Sequence, residues 1–161
     1  MFGFNPRPAD CANFLDLSGL EMRIDSRLRE RSYGLWENKT AAEIQAGWPA
    51  EYQQWREGSS PENIGVERRS LVARRVIECV NEAAAQSCAD DVILFVAHGG
   101  SIVNGVMGLL EMNPDEWTGL QGLDNCHWAL LQPRPEQRPG WRIRSYNRIN
   151  GDVDSLSHVW R

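Results

Sequence analysis

The chain has only three histidines, His98, His127 and His158, and no two of them stand at i, i+4 spacing. A zinc site is therefore not expected, and no metal or other cofactor is called for. Its four cysteines, Cys11, Cys79, Cys88 and Cys126, form no C-x-x-C pair. They read as reduced thiols, partly buried, in a cytoplasmic protein. Cys126 and His127 are adjacent, but neighbours on a strand point to opposite faces, so they make no nucleophile–base dyad. No run of Lys or Arg occurs and the net charge is −5, which argues against a nucleic-acid partner. No apolar stretch reaches the length of a membrane span, and the first residues lack the basic and apolar regions of a signal peptide. Repeats and low-complexity segments are also lacking.

What remains is an ordinary globular composition, 42% hydrophobic and 24% charged, in a length that suits one domain with a real core. The longest apolar run, Val92 to Ala97, is rich in β-branched and aromatic residues. It reads as a strand covered on both faces, the kind found at the centre of a parallel sheet. His98, Gly99, Gly100 and Ser101 follow, and then a segment with helical spacing from Ile102 to Leu110. Strand, tight turn and helix place His98 at the carboxyl end of a strand, where open α/β sheets bind ligands. The glycines admit close backbone approach, and the helix start offers N–H groups to an anion. A lone histidine in a turn is often only a helix cap. The glycines and the buried-type run shift the weight here to a role in a site.

Elsewhere the spacing predicts a helix over Ala9 to Leu17 and a short strand over Met22 to Asp25. Thr40-Ala41-Ala42-Glu43 is a capping-box pattern that starts a helix ended by Trp48-Pro49, and Tyr52 and Trp55 share a face of the next. Leu71, Val72, Val76, Val80 and Ala83 mark a long amphipathic helix ending near Ala85. A short helix is expected from Asn113-Pro114 through Trp117, then strands at His127 to Leu131 and Trp141 to Tyr146 joined as a hairpin. Residues 1–149 are expected to form the domain, and 150–161 a polar tail. The charged and aromatic stretch from Arg27 to Glu37 has no period and reads as a functional loop. Trp48, Tyr52, Trp55 and Arg56 either line a pocket mouth or pack together, and packing is the better reading.

Four segments in order resemble the histidine phosphatase superfamily, the phosphoglycerate mutase-like proteins. Leu28-Arg29-Glu30-Arg31-Ser32-Tyr33-Gly34-Leu35-Trp36-Glu37 is similar to the family's L-x-E-x-x-x-G-x-W-E segment, and Gly65-Val66-Glu67 to its G-G-E. Val96-Ala97-His98-Gly99-Gly100 is similar to its second-histidine motif, and Leu123-Asp124-Asn125-Cys126 to its asparagine turn. The resemblance implies a three-layer α/β/α fold with a mainly parallel sheet. It implies catalytic roles for Glu30, as general acid/base, and for His98, in the phosphate pocket. Arg7, Gly99, Gly100 and Asn125 would bind substrate, a small phosphorylated metabolite. Arg7 stands in Arg7-Pro8-Ala9-Asp10-Cys11-Ala12, a partial match to the family's R-A-x-x-T-A.

The family's nucleophile lies in an R-H-G motif after the first strand, and the 161 residues contain no R-H-G. The expectation is a chain without that first strand and the segment that carries the nucleophile. Such a chain is a phosphomonoester phosphatase short of its nucleophile or a non-catalytic anion-binding module, with a mutase-like phosphotransferase a further alternative. The open sheet edge would then pair with another strand, a homodimer being one way to supply it.

Overall fold

The computed structural model describes residues 22–149. The helix expected over Ala9 to Leu17 and the tail lie outside them. Four α-helices follow in chain order: α1 (Ala41–Gly47), α2 (Pro49–Arg56), α3 (Arg69–Ala85) and α4 (Gly99–Leu109). Strands β1 (Trp128–Pro133) and β2 (Trp141–Arg148) close the described chain. Short 3-10 turns at Ser26–Leu28, Gly34–Trp36 and Glu62–Ile64 fill the loops between.

Local chemistry accounts for most of these boundaries. Thr40 accepts a hydrogen bond from the Glu43 N–H, and Glu43 reaches back to the Thr40 N–H, so the capping box is formed. Trp48 ends α1, and Pro49 opens α2 at a position where its missing N–H costs nothing. No side chain of its own caps α3. Asp115 substitutes from the far side of the chain, its Oδ1 accepting from the Ser70 N–H at 3.1 Å.

Two cores result. In the first, Trp36, Ile44, Ile64 and Val66 are buried, with Tyr33, Trp48, Tyr52 and Trp55 packed around them. Trp36 meets Trp55 edge-on at 6.1 Å and Tyr52 at 6.5 Å, while Tyr52 and Trp55 stack at 5.9 Å. Each such pair adds roughly 0.5–1.5 kcal/mol beyond area burial. Trp48, Tyr52 and Trp55 are therefore packing residues, and Arg56 is exposed. In the second core α3 lies on α4, where Val76, Val80 and Leu109 are buried against Phe95, Leu131 and Trp141. Glycines on α4 permit the close approach: a Cβ on Gly105 would stand 3.0 Å from Val76 Cβ, and one on Gly108 3.1 Å from Ala73 Cβ.

Three expectations differ from the structure. Met22 to Asp25 joins no ladder among the described residues, and Asp25 instead caps the turn that follows. Asn113 to Trp117 is a single turn, its hydrogen bond running from the Trp117 N–H to the Asn113 carbonyl, and not a helix. The largest difference is the run Val92 to Ala97, which pairs with no strand of the described chain. A strand buried on both faces needs cover on both, and here only Phe95 reaches a core. Val92, Ile93, Leu94 and Val96 remain 67, 40, 60 and 46% exposed. The sheet of the described residues is the antiparallel pair β1–β2, with Leu131 opposite Ile143 and Trp128 opposite Arg148. No helix among the described residues is long and apolar enough to cross a membrane.

Gly34 ties the first core to the loop before it. Its φ is +56°, and a Cβ there would stand 2.6 Å from the Gly65 carbonyl carbon. Both the dihedral and the backbone contact require glycine. Gly34→Ala is expected to cost at least about 1 kcal/mol of folding stability. The urea midpoint measures this, and an unchanged midpoint would contradict it.

Candidate active site

The start of α4 gathers four of the residues singled out by the sequence, Glu30, His98, Gly99 and Gly100. His98, half-buried and extended at φ −103° and ψ 158°, is the residue before the helix. Its N–H lies 3.3 Å from the Ser101 hydroxyl, which is fully buried and bonds the His98 carbonyl at 3.0 Å. Asn104, 2% exposed, donates from Nδ2 to the Gly100 carbonyl at 2.6 Å. The first turn is thus braced from inside the core, while His98, Gly99 and Gly100 are half-buried and reachable.

Glu30 comes to this helix start from 70 residues earlier in the chain. Its Oε2 accepts from the Gly100 N–H at 3.2 Å, and its Oε1 from the Arg31 N–H at 2.7 Å. A Cβ on Gly100 would stand 3.2 Å from the Glu30 carboxyl carbon and closer still to Oε1, so glycine is what admits the carboxylate. On the other flank, Gly122 and Leu123 run beside Gly99: a Cβ on Gly99 would be 3.9 Å from the Leu123 carbonyl oxygen. Glu30, Gly99, Gly100 and the approach to the asparagine turn are brought together. Asn125 itself is exposed, its carbonyl 3.0 Å from His127 Nδ1. The turn is braced at its base, where Asp124 accepts from Asn147 Nδ2 at 2.8 Å and donates its N–H to Asn147 Oδ1. Arg7 lies outside the described residues.

One residue at the base of this site escaped the sequence reading. Arg75, 8% exposed on α3, donates to the carbonyls of Arg27 at 2.6 Å, Arg29 at 2.7 Å and Glu30 at 3.2 Å. Both oxygens of Glu67 receive its guanidinium, at 3.0 and 3.1 Å. Burial pushes the Glu67 carboxyl up, but the Arg75 and Ser32 hydrogen bonds and the cations beside it outweigh this and hold it below the usual range. A signal was present: Arg75 sits between Val72 and Cys79 on the apolar face of α3, a charge where the period calls for a core residue. Ser101 and Asn104 carried no such signal. An open groove of about 400 Å³ between α3 and the segment after α4, lined in part by Ala73, Ile77, Gly108 and Met112, contains none of these site residues. No group of three or more His, Cys, Asp or Glu able to hold a metal occurs among the described residues.

The chain itself matches a known class. The family model of the histidine phosphatase superfamily (branch 1) matches residues 7–149, and the chain belongs to that superfamily. It is 33% identical over 146 residues to the glucosyl-3-phosphoglycerate phosphatase of Mycolicibacterium vanbaalenii, covering 82% of this chain and 65% of that protein. To the glucosyl-3-phosphoglycerate phosphatase of Mycobacterium tuberculosis it is 35% identical over 153 residues, covering 84% and 68%. The chain therefore spans about two thirds of the length of these relatives. Among solved structures, the native mycobacterial glucosyl-3-phosphoglycerate phosphatase aligns with a TM-score of 0.75 at 32% identity, over 88% of this chain and 73% of that one. The complex of that enzyme with inorganic phosphate aligns with a TM-score of 0.72 at 33% identity, over 83% and 68%. These neighbours establish an α/β fold.

The entry into the Glu30 loop carries a second ionic feature. Asp25 receives the Arg27 N–H at 2.8 Å and its guanidinium at 2.6 Å, which holds the carboxyl down from 3.8 to about 2. A carboxyl lowered on folding stabilises the folded chain above its ordinary pKa, and the contribution is lost as pH falls through the lowered one. Wild type and Asp25→Asn should thus differ in urea midpoint at neutral pH and converge as pH falls toward 2. A constant gap would mean that the Asp25 charge contributes nothing.

Proposed function

We propose that this chain is the acid/base and phosphate-pocket part of a histidine-type phosphomonoester phosphatase. The observation that carries the reading is the meeting of Glu30 with the Gly100 amide beside His98. An anion held there would face backbone N–H groups at the start of α4 and the His98 imidazole, donors suited to equatorial phosphoryl oxygens. Arg7 and Asn125 complete the pocket in this reading. Glu30 gives a proton to the leaving oxygen as its bond to phosphorus breaks and a histidine nitrogen bonds to phosphorus. It then takes a proton from the water that cleaves the phosphorus–nitrogen bond and releases phosphate. The nucleophile of this scheme belongs to an R-H-G motif, which the 161 residues do not contain.

The relatives' names favour a small phosphorylated sugar–glycerate conjugate as substrate and hydrolysis over mutase-like transfer. A second reading is an anion-binding module without turnover, which the N–H groups at the start of α4 would serve equally well. In either case the fold proposed is the three-layer α/β/α arrangement with a mainly parallel sheet. Val92 to Ala97 would take a central place there, a second copy of the chain being one supplier of its neighbour, and the protein would be cytoplasmic.

Two measurements test this. Phosphate or vanadate should bind the chain, and His98→Ala should weaken binding by about tenfold or more, the value of one hydrogen bond to a charged group. Unchanged affinity would put the pocket elsewhere. An aryl phosphate should be turned over by these residues joined to an R-H-G-bearing strand of the family, and Glu30→Gln should slow that by about 10²–10⁴-fold. The 161 residues alone should be nearly inactive; equal turnover by both would show that the nucleophile has been misassigned.

A further inference from the structure

We infer that Arg75, oriented by Glu67, is the positioning residue that aims the Glu30 carboxylate at the start of α4. The inference rests on the reading of Glu30 as the proton donor, and its geometry is independent of any turnover. A glutamate on an aperiodic loop has no regular element to fix its backbone. Here the guanidinium bonds three carbonyls in the four residues ending at Glu30 itself. Those bonds fix the loop's height and rotation over α3, and so the direction in which the Glu30 Cα–Cβ bond leaves it. Glu67 locks the guanidinium plane by taking Nε and Nη2 together, the bidentate geometry that arginine provides and lysine does not. Glu67 is itself tied to the same loop. Its N–H donates to the Ser32 carbonyl at 2.9 Å, its Oε2 accepts from the Ser32 N–H at 3.1 Å, and its carbonyl accepts from Arg31 Nε at 2.8 Å. Glu30 is thus flanked by bonds on both sides, Arg27 and Arg29 before it and Arg31 and Ser32 after it.

The contact to be positioned is directly observable. An amide proton bonded to a carboxylate shifts as that carboxylate is protonated, because the charge-assisted bond weakens. In the wild-type chain the NMR amide signals of Gly100 and Arg31 should titrate together, and Glu30→Gln should abolish both responses. In Arg75→Lys the Arg31 response should persist, since that bond is local, while the Gly100 response should fall by half or more. The Trp36 indole and the rest of the spectrum should stay dispersed, which separates lost aim from lost fold. Glu67→Gln keeps the shape but not the charge, should also reduce the Gly100 response, and decides the matter if Arg75→Lys does not fold. A wild-type Gly100 response in either folded variant overturns the inference, as does a Gly100 amide that never follows Glu30. Failure of the phosphatase reading would appear instead as absent phosphate binding with these titrations intact.

Discussion

The largely buried pair Arg75–Glu67 is the constraint on which the site depends. Removing one partner of such a pair leaves an uncompensated charge and typically costs about 3–5 kcal/mol. Replacing both with apolar residues would remove that penalty, yet it would also strand the carbonyls of Arg27, Arg29 and Glu30 that Arg75 now satisfies. The pair is therefore better understood as a way of organising an irregular loop than as a store of stability. A loop with no ladder must send its backbone hydrogen bonds somewhere, and here three of its carbonyls go to one guanidinium.

Two segments that are far apart in sequence become one structural unit through this arrangement. Ser32 and Glu67 exchange backbone and side-chain bonds, and Gly34 lies against Gly65 with both at positive φ. Trp36 then buries its ring with Ile64 and Val66. The spacing Glu30, Gly34, Trp36 on one side and Gly65, Glu67 on the other thus describes two halves of a clasp. Its other anchor is α3, which carries Arg75 toward the loop and Val76 toward Gly105 of α4. One helix therefore sets the position of both the Glu30 loop and the helix whose start Glu30 touches.

Legibility in the sequence followed how local each determinant is. The Thr40–Glu43 box, the apolar stripe of α3, the break at Trp48-Pro49 and the β1–β2 hairpin are all set within a few residues, and each was readable. The glycines after His98 and the carboxylate at Glu30 were readable as a motif, and the structure brings Glu30 and Gly100 together. Arg75 was not, because an amphipathic stripe directs attention to its apolar members and passes over the charge lying among them. Val92 to Ala97 marks the limit of composition, since the run joins no ladder among the described residues. Composition reports that a run could be covered on both faces, but cover comes from other segments, and among the described residues only Phe95 of this run packs against a core. Asn113 to Trp117 has a helix-start signal, and it yields only the one turn that lets Asp115 cap α3.

The two glutamates of the clasp are used in different ways, and the difference is chemical. Glu67 faces a guanidinium with both oxygens and is held ionised as its counter-ion. An arginine bonded to a carboxylate favours the charged form, which suits a structural anion and opposes a proton donor. Arg75 meets Glu30 only at the carbonyl oxygen, while the hydrogen bonds to the Glu30 carboxylate come from two amides, those of Arg31 and Gly100. The loop thereby gains the orienting power of an arginine without an ion pair at the carboxylate proposed to carry the proton. A lysine at 75 would lose the fork, and an arginine aimed at the carboxylate would hold it charged. Bonding the backbone and sparing the side chain keeps orientation separate from ion pairing.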